Sequence, residues 1–182
     1  MLVPAMLHSD EIRENFYRIF YDPEYQYYFG VDRRWSPDMN EDQDNMYITH
    51  RFASIDASGK VIGYIGYTLN AATREASSFG AINFYKDDGT ITFARDLFHA
   101  IDNLFMLYGC NVMHFFEIGG NPIGKTYDRL VKRYGGRLVG VQRDTAQGLD
   151  GRLLDTKIYE IHKDDYFRTL LAKKEHRKEE RA

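Results

Sequence analysis

The chain has 182 residues, of which 43% are hydrophobic and 28% are charged. This length fits one domain, and the composition is typical of a folded protein rather than a disordered chain. The 24 Lys and Arg residues against 27 Asp and Glu residues give a net charge of −3, which argues against a protein that coats nucleic acid. No apolar run approaches the roughly 18 residues that a membrane span needs. The single cysteine, Cys110, excludes a disulfide framework.

We expect one domain over residues 1–172, because neither a linker composition nor an internal repeat interrupts them. Within it, residues 1–45 form a helical and loop region and residues 46–162 form the core. The charge-rich residues 173–182 are typical of a solvated, fraying end. Since the chain has no secretory leader pattern and only one cysteine, the expected setting is the reducing cytoplasm.

The first predicted elements are a helix and a β-hairpin. The helix covers residues 9–20, and Ser9 is its candidate N-cap. Two β-rich segments at 46–55 and 60–68 are separated by the sequence Asp-Ala-Ser-Gly at 56–59, which favours a tight turn. These segments predict two antiparallel strands.

The stretch 22–45 contains aromatic residues followed by acidic ones, and we interpret it as a long, partly helical loop that could lie over a site.

The elements after the hairpin are identified by apolar spacing and by Gly and Pro breakers. They are a strand at 77–85, a helix at 92–108, a strand at 112–118 that we expect to be buried on both faces, a helix opened by Asn121 and Pro122 and ended by Gly135, and strands at 137–142 and 153–161. Residues 46–161 therefore have the order β-β-β-α-β-α-β-β.

Three segments carry a resemblance to a known family: the hairpin at 56–67, the helix at 121–136, and the segment 136–159. Together with the order of elements, they resemble the GNAT superfamily of acyl-CoA-dependent N-acyltransferases, over residues 46–162. The segment 136–159 is similar to the branch that acetylates the N-termini of ribosomal proteins. The resemblance implies an α+β fold, with a mostly antiparallel twisted sheet splayed in its middle and helices on both faces. It also implies an acetyltransferase that moves an acetyl group from acetyl-CoA to a primary amine by direct attack.

The resemblance implies that residues 79–85, including Phe84 and Tyr85, contact the pantetheine arm through their backbone. The diphosphate would lie on the turn at 86–92, where backbone N–H groups open a helix whose dipole favours anions. The candidate cofactor-binding residues of this turn are Lys86, Gly89, Thr90, Ile91 and Thr92, and Asn121 is a further candidate at the next helix.

This turn departs from the family pattern, which leaves other interpretations open. Asp87 and Asp88 would repel a diphosphate, and Ile91 stands where the family has a second glycine. The turn could be an ordinary polar loop, and the protein could be a GNAT-like binding module that has lost catalysis. A third alternative is an acyltransferase that uses a different acyl-CoA.

Two residues are candidates for the acid–base chemistry that the resemblance implies. Glu117 is the candidate base, acting directly or through a water molecule; the alternative is a strand-end glutamate paired with Lys or Arg. Tyr127 is the candidate acid, since a phenol can protonate a leaving thiolate; the alternative is a core tyrosine in the apolar stripe of its helix. His114 is a weaker base candidate on the opposite face of its strand, and we expect Cys110 to have a packing role.

The implied partners are acetyl-CoA and an amine acceptor that the sequence does not identify. The acidic residues at 38–44 could attract a cationic amine, although a solvated acidic loop is the commoner explanation. The histidines show no zinc-ligand spacing, so we expect no metal. We expect no nucleic-acid or membrane partner, and a homodimer is a further hypothesis.

Overall fold

A computed structural model describes residues 1–20, 22, 46–85, 90–148 and 150–179. Of the loop expected over 22–45, only Asp22 lies within this described part. Lys86 and Gly89 of the expected diphosphate turn also lie outside it, as do Asp87 and Asp88.

Seven strands form one sheet in the order β1-β2-β3-β4-β5-β7-β6. Neighbouring strands are antiparallel except β4 and β5, which are parallel. The strands are β1 (Leu2–Pro4), β2 (Tyr47–Ile55), β3 (Val61–Asn70), β4 (Glu75–Asn83), β5 (Val112–Ile118), β6 (Arg137–Gln147) and β7 (Leu153–His162).

The helices of the described part are α1 (Ser9–Phe20), α2 (Thr90–Met106), α3 (Gly124–Tyr134) and α4 (Lys163–Glu179). A short 3-10 turn at Ala5–His8 leads directly into α1. The order of strands and helices over residues 46–161 confirms the predicted order, and the mostly antiparallel sheet confirms the predicted α+β class. None of these helices is both long enough and apolar enough to cross a membrane.

Each face of the sheet has its own apolar core, because alternate residues of a strand point to opposite faces. Tyr64 and Ile82 lie in a cluster with Ile12 and Phe16 of α1. Ile65, the neighbour of Tyr64, lies in the larger cluster that includes side chains of α2, α3 and α4. Helices therefore cover both faces, as expected.

The hairpin forms as predicted because its turn satisfies its own backbone. Asp56 Oδ1 accepts hydrogen bonds from the N–H groups of Ser58 and Lys60, at 2.8 and 3.1 Å. Gly59 adopts a φ of 87°, a left-handed conformation that glycine tolerates without steric cost. The turn thus fixes the register of β2 against β3.

Several sequence expectations were wrong in detail. Ser9 does not cap α1 from outside; it is the first residue of the helix, and its Oγ donates to the carbonyl of Met6. Residues 173–179 of the charge-rich segment lie in α4, a helix that the sequence did not predict because its charges hide the few apolar residues, such as Tyr166, that pack it against the core. Phe116 is 54% exposed, so β5 is buried on one face only.

Candidate active site

Strands β4 and β5 pair over only part of their length. Their register runs from Glu75–Val112 to Phe79–Phe115. Beyond this rung, β4 continues along β3 to Asn83, whereas β5 continues along β7 to Ile118. The two central strands therefore separate and leave a gap, which we call the β4–β5 gap: residues 80–83 of β4 on one side and 116–118 of β5 on the other. This geometry is the splayed sheet that the sequence resemblance implied.

A bulge in β4 lies where the separation begins. Ser78 has a φ of 52°, which is unusual for a residue with a side chain. The register of β4 shifts here against both neighbours, between Gly66 and Thr68 of β3 and between Ala76 and Phe79 of β4 itself. Because a bulge adds a residue and bends its strand, it accounts for the departure of β4 from β5.

The main chain of β4 can bind an extended ligand in the gap. The N–H of Phe84 donates to the carbonyl of Ile62, so Phe84, Ile82 and Gly80 occupy the hydrogen-bonded positions against β3. By the same alternation, the polar backbone groups of Ala81 and Asn83 point away from β3 and toward the gap. The gap is thus lined by two main-chain positions of the kind that pair with an amide-containing chain.

Helix α2 is held close to the sheet beside this gap. A Cβ placed on Gly63 would collide with the ring of Phe93, and with the carbonyl of Ile82 at 2.6 Å. Only glycine at this position of β3 therefore lets the first turns of α2 approach β4.

Glu117 lies on β5 at the level of the gap and is only 4% exposed. Its side chain points toward the α3 face, as do Met113 and Phe115. Glu117 Oε2 accepts a hydrogen bond from the Tyr159 hydroxyl at 3.0 Å and lies 3.4 Å from Lys157 Nζ. Both partners are on β7, and Lys157 is the direct cross-strand partner of Glu117. The lysine pairing that the sequence left open is therefore present, together with a phenol.

The first residue of α3 makes room for the Glu117 carboxylate. A Cβ on Gly124 would lie 2.5 Å from both of its oxygens. The absence of a side chain at Gly124 therefore lets the carboxylate lie against the beginning of the helix, where the helix dipole favours negative charge.

No protein-family model and no curated protein sequence matches the chain, but solved structures do. A point mutant of spermidine N-acetyltransferase SpeG from Vibrio cholerae is 25% identical, with a TM-score of 0.54 over 68% of this chain and 70% of that one. SpeG from the same organism in complex with manganese ions is 24% identical, with a TM-score of 0.55 over 69% and 71%. A provisionally assigned acetyltransferase is 16% identical, with a TM-score of 0.63 over 92% and 85%.

These neighbours are GNAT-type acetyltransferases. The chain has the GNAT fold. The neighbours support the expectation of an acyl-CoA-dependent N-acyltransferase.

In this fold, Tyr127 lies at the closed end of the gap. It is 3% exposed, and its ring packs edge-on against Phe115 at 4.8 Å and against Tyr159 at 5.9 Å between centroids. Phe115 forms the last rung that joins β4 to β5. Tyr127 thus packs in the core, as expected for a core tyrosine. It also lies next to the Phe79–Phe115 rung, where β4 and β5 separate.

Asn121 builds the turn before α3. Its Oδ1 accepts the N–H of Ile123 at 2.9 Å, and its carbonyl accepts the N–H of Gly124 at 3.1 Å. The α-helix proper begins at Gly124, two residues after Pro122, the predicted first helical position, because residues 122–123 form a turn first. The side chain of Asn121 therefore supports the local fold next to Glu117.

Phe84 has a structural role in this chain. Its side chain is fully buried against Phe16, its N–H donates to Ile62, and its carbonyl accepts from Arg18 at 2.8 Å. The backbone contact with a cofactor that the sequence suggested at Phe84 is therefore not favoured. The residues whose backbone faces the gap are Ala81 and Asn83, two positions that the sequence did not single out.

Positive charge collects near the C-terminal end of β4. Lys60 Nζ lies 3.6 Å from the ring centroid of Tyr85, and the Arg18 guanidinium lies 5.0 Å from it. The N-terminus of α2 follows, with Thr90 as its first residue, Ile91 88% exposed and Thr92 next in the helix. Of the predicted cofactor-binding residues, Tyr85, Thr90, Ile91 and Thr92 thus lie at one end of the gap.

The remaining candidates lie away from the gap. His114 is on the opposite face of β5 from Glu117, and its Nδ1 lies 3.0 Å from Glu75 Oε1. Cys110 is buried, its Sγ donates to the carbonyl of Val112, and burial raises the pKa of its thiol. Among the described residues, no three His, Cys, Asp or Glu side chains are placed to hold a metal ion.

The sequence missed Ser78, Tyr159, Lys157 and Gly124. Ser78 has no turn-forming neighbour that would signal a bulge, and Tyr159 and Lys157 are brought to Glu117 by strand pairing across about 40 residues. Only the alternation of β7 could have suggested which of its residues share a face with Glu117.

Proposed function

We propose that this chain is an N-acetyltransferase that moves the acetyl group of acetyl-CoA directly to a primary amine, without a covalent enzyme intermediate. One observation carries the proposal: β4 and β5 part beyond the Phe79–Phe115 rung while β4 turns the backbone of Ala81 and Asn83 into the gap. A ligand with amide groups along an extended arm, as pantetheine has, suits such a gap. The likeness to acetyltransferases of known structure supports the same interpretation.

The reaction needs a polarised thioester carbonyl, and preorganised N–H donors provide that stabilisation. In our proposal, the backbone N–H groups of Ala81 and Asn83, which point toward the gap, serve the thioester and the pantetheine amides. The diphosphate lies at the N-terminus of α2, where helix N–H groups favour anions. Lys60 and Arg18 lie against the ring of Tyr85, at the C-terminal end of β4. The turn at 86–89 takes part in this site in the proposal.

Glu117 and Tyr127 have complementary roles in the proposed reaction. The amine nitrogen attacks the thioester carbon and loses a proton, which Glu117 accepts directly or through water. The C–S bond breaks, and Tyr127 protonates the departing thiolate. If Tyr127 has this role, Tyr127→Phe lowers kcat while leaving acetyl-CoA binding intact; an unchanged kcat would assign Tyr127 to packing alone.

The acceptor is the open part of the proposal. The sequence resembles the branch that acetylates N-termini of ribosomal proteins, whereas the SpeG neighbours act on spermidine by name. Both acceptors present a primary amine, so a panel of spermidine and short peptides with free N-termini is the appropriate first screen. The proposal includes a cytoplasmic setting and leaves a homodimer as a hypothesis.

The test uses hydrogen exchange detected by NMR, with and without acetyl-CoA. We expect the amides of Ala81 and Asn83 to become protected on binding, because their N–H groups acquire partners in the gap. The amide of Phe84 is the internal control, since it already donates to Ile62. Calorimetry gives the affinity on the same samples.

The outcomes separate the alternatives. Binding with protection at Ala81 and Asn83, followed by acetyl transfer to a member of the amine panel, supports the enzyme. Binding without transfer to any amine favours a module that has lost catalysis. Absence of binding at millimolar acetyl-CoA contradicts the proposal, and a panel of longer acyl-CoA thioesters then tests a different acyl donor.

A further inference from the structure

The buried Glu117 carboxylate is connected to the surface by one phenol. Tyr159 is 1% exposed, and its hydroxyl lies 3.0 Å from Glu117 Oε2 and 3.2 Å from Asp128 Oδ1. Asp128 is on the exposed side of α3. The three groups therefore form a line from a buried carboxylate to one that water can reach.

Proton counting shows that this line is incomplete when both carboxylates are ionised. A phenol has one proton to donate, whereas two carboxylate oxygens lie within hydrogen-bond distance of it. With one additional proton, on either Glu117 or Asp128, both contacts become hydrogen bonds. In the fully ionised state, only one of the two contacts can therefore be a hydrogen bond at a time.

Lys157 does not offer an alternative outlet. Its Nζ lies 3.4 Å from Glu117 Oε2, and its side chain is 38% exposed. An ammonium group has only donors and no lone pair that could accept a proton. Lys157 therefore balances the charge of the carboxylate, and the route for a proton leaves through Tyr159.

We propose that Tyr159 and Asp128 relay to solvent the proton that Glu117 removes from the acceptor amine. This inference rests on the proposed function, because it gives Glu117 its task as the base. It assigns to Tyr159 and Asp128 a part in turnover that does not require contact with the substrate.

The relay conserves protons and charge. After accepting the amine proton, Glu117 is a neutral acid and its O–H bond breaks as that proton moves to the Tyr159 oxygen. In the same step the original Tyr159 proton moves to Asp128 Oδ1, and Asp128 then releases it to water. Burial, together with the Glu117 carboxylate, raises the pKa of the Tyr159 phenol, which disfavours a phenolate and favours concerted movement of both protons.

The phenol contacts two titratable groups, Glu117 of β5 and Asp128 of α3, and Lys157 of β7 contacts Glu117. The ring of Tyr127, also from α3, packs edge-on against Tyr159. A buried tyrosine elsewhere provides a matched control. Tyr166 is fully buried and donates to Asp102 Oδ1 at 2.7 Å, but it contacts neither carboxylate of the line in the described part of the chain.

The first arm of the test needs no acceptor. The carboxyl groups of Asp and Glu are labelled with carbon-13, and the Glu117 signal is followed by NMR at one pH. We expect Asp128→Asn to shift the Glu117 signal, because the phenol joins the two carboxylates. The same substitution should leave this signal unmoved in a Tyr159→Phe background and should still shift it in a Tyr166→Phe background. A Glu117 signal that does not respond to Asp128→Asn, or that responds equally without the phenol, overturns the relay.

The second arm measures acetyl transfer with an amine that the wild type accepts. Tyr159→Phe and Asp128→Asn should each lower kcat by about 10-fold, with an unchanged KM for acetyl-CoA. Imidazole in the buffer should restore part of the rate to Asp128→Asn, and Tyr166→Phe should retain the wild-type kcat. If Glu117→Gln slows turnover but Tyr159→Phe does not, the relay is wrong, whereas the role of Glu117 as the base is retained. If acetyl-CoA does not bind, the proposed function is wrong, and the NMR arm still decides whether the carboxylates are coupled.

Discussion

Two glutamates are buried on neighbouring strands, one on each face of the sheet. Glu117 of β5 is 4% exposed and is bound by a phenol and, at 3.4 Å, by Lys157. Glu160 of β7 is 7% exposed, and its Oε1 lies 2.6 Å from both Nε and Nη2 of Arg137, which donate to it. His162 lies 3.4 Å from the same oxygen, and His114 lies 3.6 Å from Oε2.

The difference between these sites fits our proposal that Glu117 is the base, whereas Glu160 is structural. Burial alone would raise the pKa of Glu160, but Arg137 and the two histidines reverse this effect and lower it, so Glu160 is held as an anion. Glu117 has no guanidinium among its described partners, and its closest partner is a neutral phenol. In our proposal, this environment lets Glu117 act as a base while Glu160 stays in its ion pair with Arg137.

The largest expected effect is on turnover at Glu117. Glu117→Gln should lower kcat by about 100-fold, because the amide cannot accept a proton from the amine. Acetyl-CoA affinity should be unchanged, as measured by calorimetry. Glu160→Gln is the matched control and should retain the wild-type kcat. Equal losses of kcat in both variants would remove the distinction between the two glutamates.

A smaller effect is expected when the Glu117 carboxylate is displaced rather than removed. Gly124→Ala introduces a Cβ that would lie 2.5 Å from both of its oxygens, so the carboxylate must move. Kcat should fall by about 10-fold, since a misplaced catalytic group is costly. Gly140→Ala is the control, because a Cβ there meets no heavy atom within 4 Å. Steady-state kinetics on both variants measure the difference, and identical values would show that the position of the carboxylate is unimportant.

The smallest effect is expected on stability at Glu160. Because its folded-state pKa is lowered, this carboxylate contributes stability above its unfolded pKa of about 4.3, and the contribution is lost as pH falls through the folded pKa. Glu160→Gln should therefore cost about 1 kcal/mol at pH 7, a modest value because Arg137 is largely in solvent. Urea unfolding at pH 7 and near pH 3 measures it, and the gap between wild type and variant should shrink at the lower pH. A constant gap would contradict the assignment.

The sequence was informative where local chemistry determines structure. The turn at 56–59 predicts the hairpin because Asp56 and Gly59 satisfy the turn by themselves. Helix α2 was predicted with ends shifted by two residues, since its apolar spacing is regular. Glu117 could be proposed as a base from its place at the end of an apolar strand, although its partners could not be named.

The parts that could not be predicted depend on register. Lys157 faces Glu117 only because β5 and β7 pair with one particular alignment, and a shift of one residue would place Lys157 on the other face. The exposure of Phe116 depends on what covers its face of the sheet, which an apolar run does not reveal. Helix α4 is docked by a few aromatic residues within a charged segment, a pattern too sparse to indicate packing.

The bulge at Ser78 also changes the parity of β4. Ala76 and Phe79 are three residues apart, yet both are buried in the same core, where an uninterrupted strand would alternate them to opposite sides. Because of this one extra residue, both halves of β4 place apolar side chains on the face that the helices cover. The same residue ends the pairing of the second half with β5. The gap for an elongated ligand therefore forms while the hydrophobic core stays packed. It depends on the number of residues in β4 rather than on the chemistry of any side chain.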